Sequence, residues 1–100
     1  MKILLICNAG MSTGILQMKL EEEAQKLHLD AEVLAIPMSE IDDHIKDSDA
    51  VLLGPQIRFA YNDVRKMVSE DKPVMVIAAQ DFGIMNAEKI MNDLVEELNK

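Results

Sequence analysis

The sequence predicts an α/β fold. It is one four-stranded parallel open sheet with helices on both faces, in the order βαβαβαβα, as a single domain over residues 1–100. Three observations predict it. Four short apolar runs alternate with longer segments whose apolar residues recur at spacings of three and four, the mark of strands alternating with amphipathic helices. The connections are short, with no linker, repeat or low-complexity tract. Strands joined through helices run parallel, because each crossover returns the chain to the same end of the sheet.

Each element has its own signal. Lys2 to Ile6 is apolar without helical periodicity and ends at loop-forming residues, so it reads as a strand buried on both faces. From Ile15 to about His28 the spacing changes: Leu16, Leu20, Ala24 and Leu27 form one stripe, and Glu21, Glu22, Gln25 and Lys26 the other, solvated face. Ala31 to Ile36 is the second strand, closed by Pro37. Ser39 with Asp42 three residues on has the form of a capping box opening a short helix through Ile45. Asp49 to Leu53 is the third strand, ended by Gly54-Pro55. Ala60, Val64, Met67 and Val68 form the buried stripe of the next helix. Pro73 opens the last strand, Val74 to Ile77. Asn86 caps a final helix whose inner face is Ala87, Ile90, Met91, Leu94 and Leu98.

The composition excludes several functions. A formal charge of −8 disfavours non-specific binding to nucleic acid, which needs a basic surface. One cysteine forms no internal disulfide, which suits a reducing compartment. The apolar run after Lys2 is too short for a signal peptide, and no segment approaches the ~20 apolar residues of a membrane span. A cytoplasmic, soluble chain without direct membrane insertion is expected.

The chemistry is expected in the loop Cys7-Asn8-Ala9-Gly10-Met11-Ser12-Thr13-Gly14. Ligands of such folds sit at the carboxyl ends of the strands, where the chain order reverses, and the first strand is ordinarily central. A thiol there lies at a helix amino terminus, which lowers its pKa from ~8.5 and favours the nucleophilic thiolate. Small residues let backbone N–H groups curl around an anion, with Ser12 and Thr13 adding hydroxyls. The loop contains no Lys or Arg, so amides, hydroxyls and the helix dipole would carry a bound dianion. The plain alternative is a buried, inert cysteine.

Competing motifs fail on spacing. There is no G-x-x-x-x-G-K-[ST] and no G-x-G-x-x-G. A low-molecular-weight cysteine phosphatase shares this topology, but its loop is Cys-x5-Arg, and the arginine's place falls on Thr13. Asp81 could serve such an enzyme as general acid, or be a turn former. Gln56 and Arg58 follow the third strand on the same edge and are candidate rim or partner contacts. Met11 could shield the thiol or meet a partner. His28 and His44 lack metal-ligand spacing and read as surface residues, so no metal or other cofactor is expected.

With these residues laid out, the chain resembles the enzyme IIB component of the lactose/cellobiose class of bacterial sugar phosphotransferase systems. That family has the low-molecular-weight tyrosine phosphatase or flavodoxin-like topology. The resemblance rests on the Cys7 to Thr13 loop, the segment Leu53-Gly54-Pro55-Gln56-Ile57, and Asp81-Phe82-Gly83-Ile84-Met85-Asn86. It implies a relay in which Cys7 accepts phosphoryl from a phosphohistidine of enzyme IIA and passes it to a sugar held by the membrane enzyme IIC. A β-linked disaccharide such as cellobiose, chitobiose or lactose is the expected sugar. The family commonly has serine where this chain has Gly14. A small cysteine phosphatase and a phosphorylation-dependent regulatory module are the alternatives.

Overall fold

A computed structural model describes residues 1–7 and 13–99. Its centre is β1 (Lys2–Ile6), which pairs in parallel with β2 (Glu32–Ile36) on one side and β3 (Ala50–Leu53) on the other. With β4 (Val74–Val76) beyond β3, the sheet order is β2-β1-β3-β4. The chain steps outward from β1 to β2 and then crosses back to β3. The reversal therefore lies between β1 and β3, at the carboxyl end where Cys7 follows β1.

Side chains alternate across a strand, so the two faces of β1 enter different cores. Ile3, Leu5 and Cys7 pack with Ala50 and Leu52 against α1 (Thr13–Lys26) and α5 (Ala87–Leu98). Leu4, Ile6, Val51 and Leu53 face α2 (Ile41–His44) and α3 (Tyr61–Met67), together with the turns around them. Helices thus cover both faces, as the alternating pattern predicts, and Ile3 to Ile6 are fully buried. α5 shows the logic most clearly. Asn86 Oδ1 accepts from Lys89 N at 3.2 Å, and the stripe Ala87, Ile90, Met91 and Leu94 is buried beneath it. Each large apolar side chain buried there contributes about 1.5–3 kcal/mol.

The structure departs from the sequence reading in several places. Ser39 and Asp42 make no capping box: the segment opens as a 3₁₀ turn, Met38–Glu40, and neither it nor α2 carries a side-chain cap bond. Leu27 is exposed, because α1 stops at Lys26 and His28, with φ 60°, turns the chain away before the stripe can continue. Met67 is largely exposed for a similar reason, since α3 ends there. A short helix, α4 (Ala79–Gly83), occupies what reads as loop. Glu21 is no solvated residue. Its carboxylate accepts from Val33 N at 2.9 Å, and Gln17 Oε1 accepts from Ala35 N at 3.2 Å. Both N–H groups belong to edge strand β2, so α1 satisfies the sheet edge that would otherwise invite pairing.

Candidate active site

The sheet ladder runs one residue past β1, β3 and β4, and this defines the edge on which the candidate chemistry sits. Cys7 N donates to Ile36 O at 3.1 Å, Gly54 N to Ile6 O at 2.8 Å, and Ile77 N to Leu53 O at 2.8 Å. Cys7 and Gly54 are therefore held by backbone bonds on neighbouring strand ends. In-register pairing of Leu5 with Leu52 means that, two residues on, Cys7 and Gly54 face the same side of the sheet.

That registry explains the glycine. A Cβ on Gly54 would lie 3.2 Å from Cys7 Sγ, 2.8 Å from Gln56 Oε1 and 3.5 Å from Ile6 O. The backbone of Gly54 is ordinary extended chain (φ −62°, ψ 151°), so close approach, not an unusual dihedral, is what the site asks of it. The same contacts show that the sulfur and the Gln56 carboxamide flank one notch over the Gly54 α-carbon. The sequence marks Gly54 as the end of the third strand and as part of a segment on the ligand edge, without showing that its missing side chain makes room for the sulfur. The signal that could have found it is a glycine closing the strand next to the one that ends in cysteine.

Cys7 is 3% exposed, packed in the core that α1 and α5 cover. Burial disfavours the thiolate and pushes the Cys7 thiol up from 9.0 to about 11. The expectation of a thiol acidified by a helix amino terminus is thus reversed among the described residues, where desolvation dominates. At neutral pH the resting group is a protonated thiol.

The other candidates separate. Asn8, Ala9, Gly10, Met11 and Ser12 lie outside the described residues, as does the side chain of Thr13. Thr13 opens α1 and Gly14 follows in its first turn, exposed, with open space where a Cβ would stand. A serine there would meet no obstacle. Gln56 and Arg58 lie on a 3₁₀ segment, Pro55–Ala60, that leads from β3 into α3. Both are exposed, but only Gln56 is seen to turn back toward the sulfur.

Asp81 sits on α4, and its backbone oxygen accepts from Asn86 N at 2.8 Å. Lys89 is held above its ordinary pKa chiefly by its hydrogen bond to Asp93, with a smaller contribution from the charge of Asp81. No hydrogen bond or ion pair among the described residues joins Asp81 to Cys7. The α4 segment instead contributes Phe82, which with Met85 packs against the core that holds Cys7. No helix is long and apolar enough to cross a membrane among the described residues.

Comparison with known proteins agrees with this fold. Residues 2–93 match the family described as "PTS system, Lactose/Cellobiose specific IIB subunit". The chain is 35% identical over 89 residues to an oligo-beta-mannoside-specific EIIB component of the phosphotransferase system (PTS) from Bacillus subtilis, covering 88% of this chain and 86% of that one. It is likewise 35% identical over 95 residues to galactose-specific and cellobiose-specific EIIB components of Lactococcus lactis, covering 89% of this chain and 88% of each. Among solved structures, a cellobiose-specific IIB component from Borrelia burgdorferi superposes with a TM-score of 0.75 at 33% identity, over 99% of this chain and 92% of the other. A lactose-specific IIB domain from Streptococcus pneumoniae shares the fold with a TM-score of 0.80 at 15% identity, over 97% and 96%.

Proposed function

The chain belongs to the lactose/cellobiose-specific IIB subunits of the sugar phosphotransferase system and is a phosphotransferase component, and on that premise we propose that Cys7 is its covalent phosphoryl carrier. The donor is a phosphohistidine of enzyme IIA, and the acceptor is a sugar bound to the membrane enzyme IIC. Both meet the protein at its strand-carboxyl edge in the cytoplasm. Residues 8 to 14 form the anion cradle, and the domain spans residues 1–100. The observation that supports this reading is the place of Cys7: the only sulfhydryl in the chain ends the central strand at the reversal point, against a neighbouring strand end kept free of a side chain.

The buried thiol shapes the chemistry. As sulfur attacks the phosphorus in line, the P–N bond breaks and the P–S bond forms. The thiol proton passes to the imidazole nitrogen that leaves, so the products are neutral imidazole and S-phosphocysteine. In the second transfer a sugar hydroxyl attacks the same phosphorus. The P–O bond forms, the P–S bond breaks, and the departing sulfur takes up the proton that the hydroxyl gives up, directly or through water. A thiol whose pKa stands near 11 is protonated again at once at neutral pH. Three relatives with the same degree of identity carry names that specify different sugars. That spread supports assigning the choice of sugar to the membrane partner.

The test is phosphoryl uptake from phosphorylated enzyme IIA, read by intact mass and phosphorus NMR. Wild type is expected to gain one phosphoryl group with a thiophosphate resonance, and Cys7→Ser none. Equal uptake by Cys7→Ser would refute the carrier role. Steady turnover of an aryl phosphate by the wild type would favour the phosphatase reading.

A further inference from the structure

We propose that Gln56 contacts the phosphoryl group carried by Cys7, its carboxamide donating a hydrogen bond across the notch over Gly54. The proposal rests on the carrier reading above and adds a side chain to it. Gln56 is exposed on the 3₁₀ segment and could extend into water. It is instead folded back over its own turn, so that its Oε1 stands 2.8 Å from the point where a Gly54 Cβ would be, while Cys7 Sγ stands 3.2 Å from that same point. No hydrogen bond within the described residues occupies the carboxamide, so both its donor and its acceptor are available. Half a turn about the last side-chain bond exchanges Oε1 for Nε2, which presents N–H to an anion arriving at the sulfur.

The residues of the edge make this donor matter. No Lys or Arg lies between Cys7 and Gly14, so a dianion on sulfur lacks a cationic side chain from its own loop. A neutral amide donor helps hold the group in line without drawing in the positive charge that assists hydrolysis. Gly54 is the positioning residue of the pair. An alanine there is compatible with the extended backbone, but its methyl would push the flexible Gln56 carboxamide off the notch and crowd the sulfur.

The experiment uses the full chain, phosphorylated by enzyme IIA, and follows the Gln56 side-chain NH₂ by ¹H–¹⁵N NMR together with the rate of uptake. The Gln56 amide resonances are expected to shift when Cys7 is phosphorylated. Gln56→Met, close in size but without a donor, is expected to take up phosphoryl roughly tenfold more slowly or worse, the loss typical of a hydrogen bond to a charged group. Gln56→Glu, with negative charge facing the dianion, should be slower still. Gly54→Ala should fold, yet show a smaller amide shift and slower uptake. A thiophosphate signal in the wild type with an unmoved Gln56 amide, or with Gln56→Met at the wild-type rate, would overturn this proposal alone. Absence of thiophosphate in the wild type would overturn the carrier reading and this proposal with it.

Discussion

The buried state of Cys7 makes a quantitative prediction about its reactivity. The perturbation is alkylation by iodoacetamide across pH 7–12, in the native protein and in denaturant. Desolvation raises the native thiol from 9.0 to about 11, a difference of two pKa units, and each unit is a factor of ten in thiolate. At pH 8 the native protein therefore holds ~100-fold less thiolate than the unfolded chain, and its alkylation should be slower by at least that factor. Steric shielding of a sulfur that is 3% exposed can only add to this. The native rate should climb tenfold per pH unit until it bends near 11, while the denatured chain bends near 9.0.

The sign for stability follows from the same shift. A group whose folded pKa is raised contributes fully below its unfolded value, and that contribution is lost as pH rises from 9.0 toward 11. Cys7→Ala should lack this alkaline loss, which isolates it from the titration of lysines and tyrosine. A native rate at pH 8 equal to that of the denatured chain, or a bend below 9.0, would refute the desolvation argument. The bend below 9.0 would restore the acidified thiol that the loop sequence suggests.

Two further predictions concern the frame that holds the site. Glu21→Ala leaves Val33 N without its 2.9 Å partner on the sheet edge and should lower stability by about 1–2 kcal/mol in urea unfolding, with Glu21→Gln recovering most of it. Asn86→Ala removes the side-chain acceptor for Lys89 N at the start of α5 and should cost ~1 kcal/mol by the same measurement.

What was legible in the sequence was whatever repeats with a period. β1, β3 and the inner face of α5 could be read directly, because a fully apolar run and a three–four spacing each have one structural meaning in a chain this short. Short elements escaped. α4 buries none of its five residues fully, and the 3₁₀ segment Pro55–Ala60 adds only Ile57 ahead of the Ala60–Val64 stripe, too little to mark it as an element. The place of Cys7 was legible from the strand before it and the helix after it. Its protonation was not. A helix amino terminus is visible in the chain order, whereas desolvation comes from burial in a core built with β3 and α5, which are distant in sequence and join Cys7 only in the fold.

Relay and phosphatase share this topology, and the difference between them lies in what surrounds the sulfur. Hydrolysis of a phosphocysteine needs water delivered in line and a carboxyl group to handle its proton. The obvious carboxyl, Asp81, sits on α4 within electrostatic reach of Lys89, and α4 turns apolar Phe82 toward the core that holds Cys7. Among the described residues, α4 thus adds hydrocarbon, not an acid, to the core that holds Cys7. A sulfur buried in that core is a weak acid, and the thiolate of a weak acid, once formed, is a strong nucleophile. At neutral pH it is held as the thiol. On the carrier reading proposed above, such a group would exchange phosphoryl when a protein docks over it, which is the selectivity that a carrier between two partners requires.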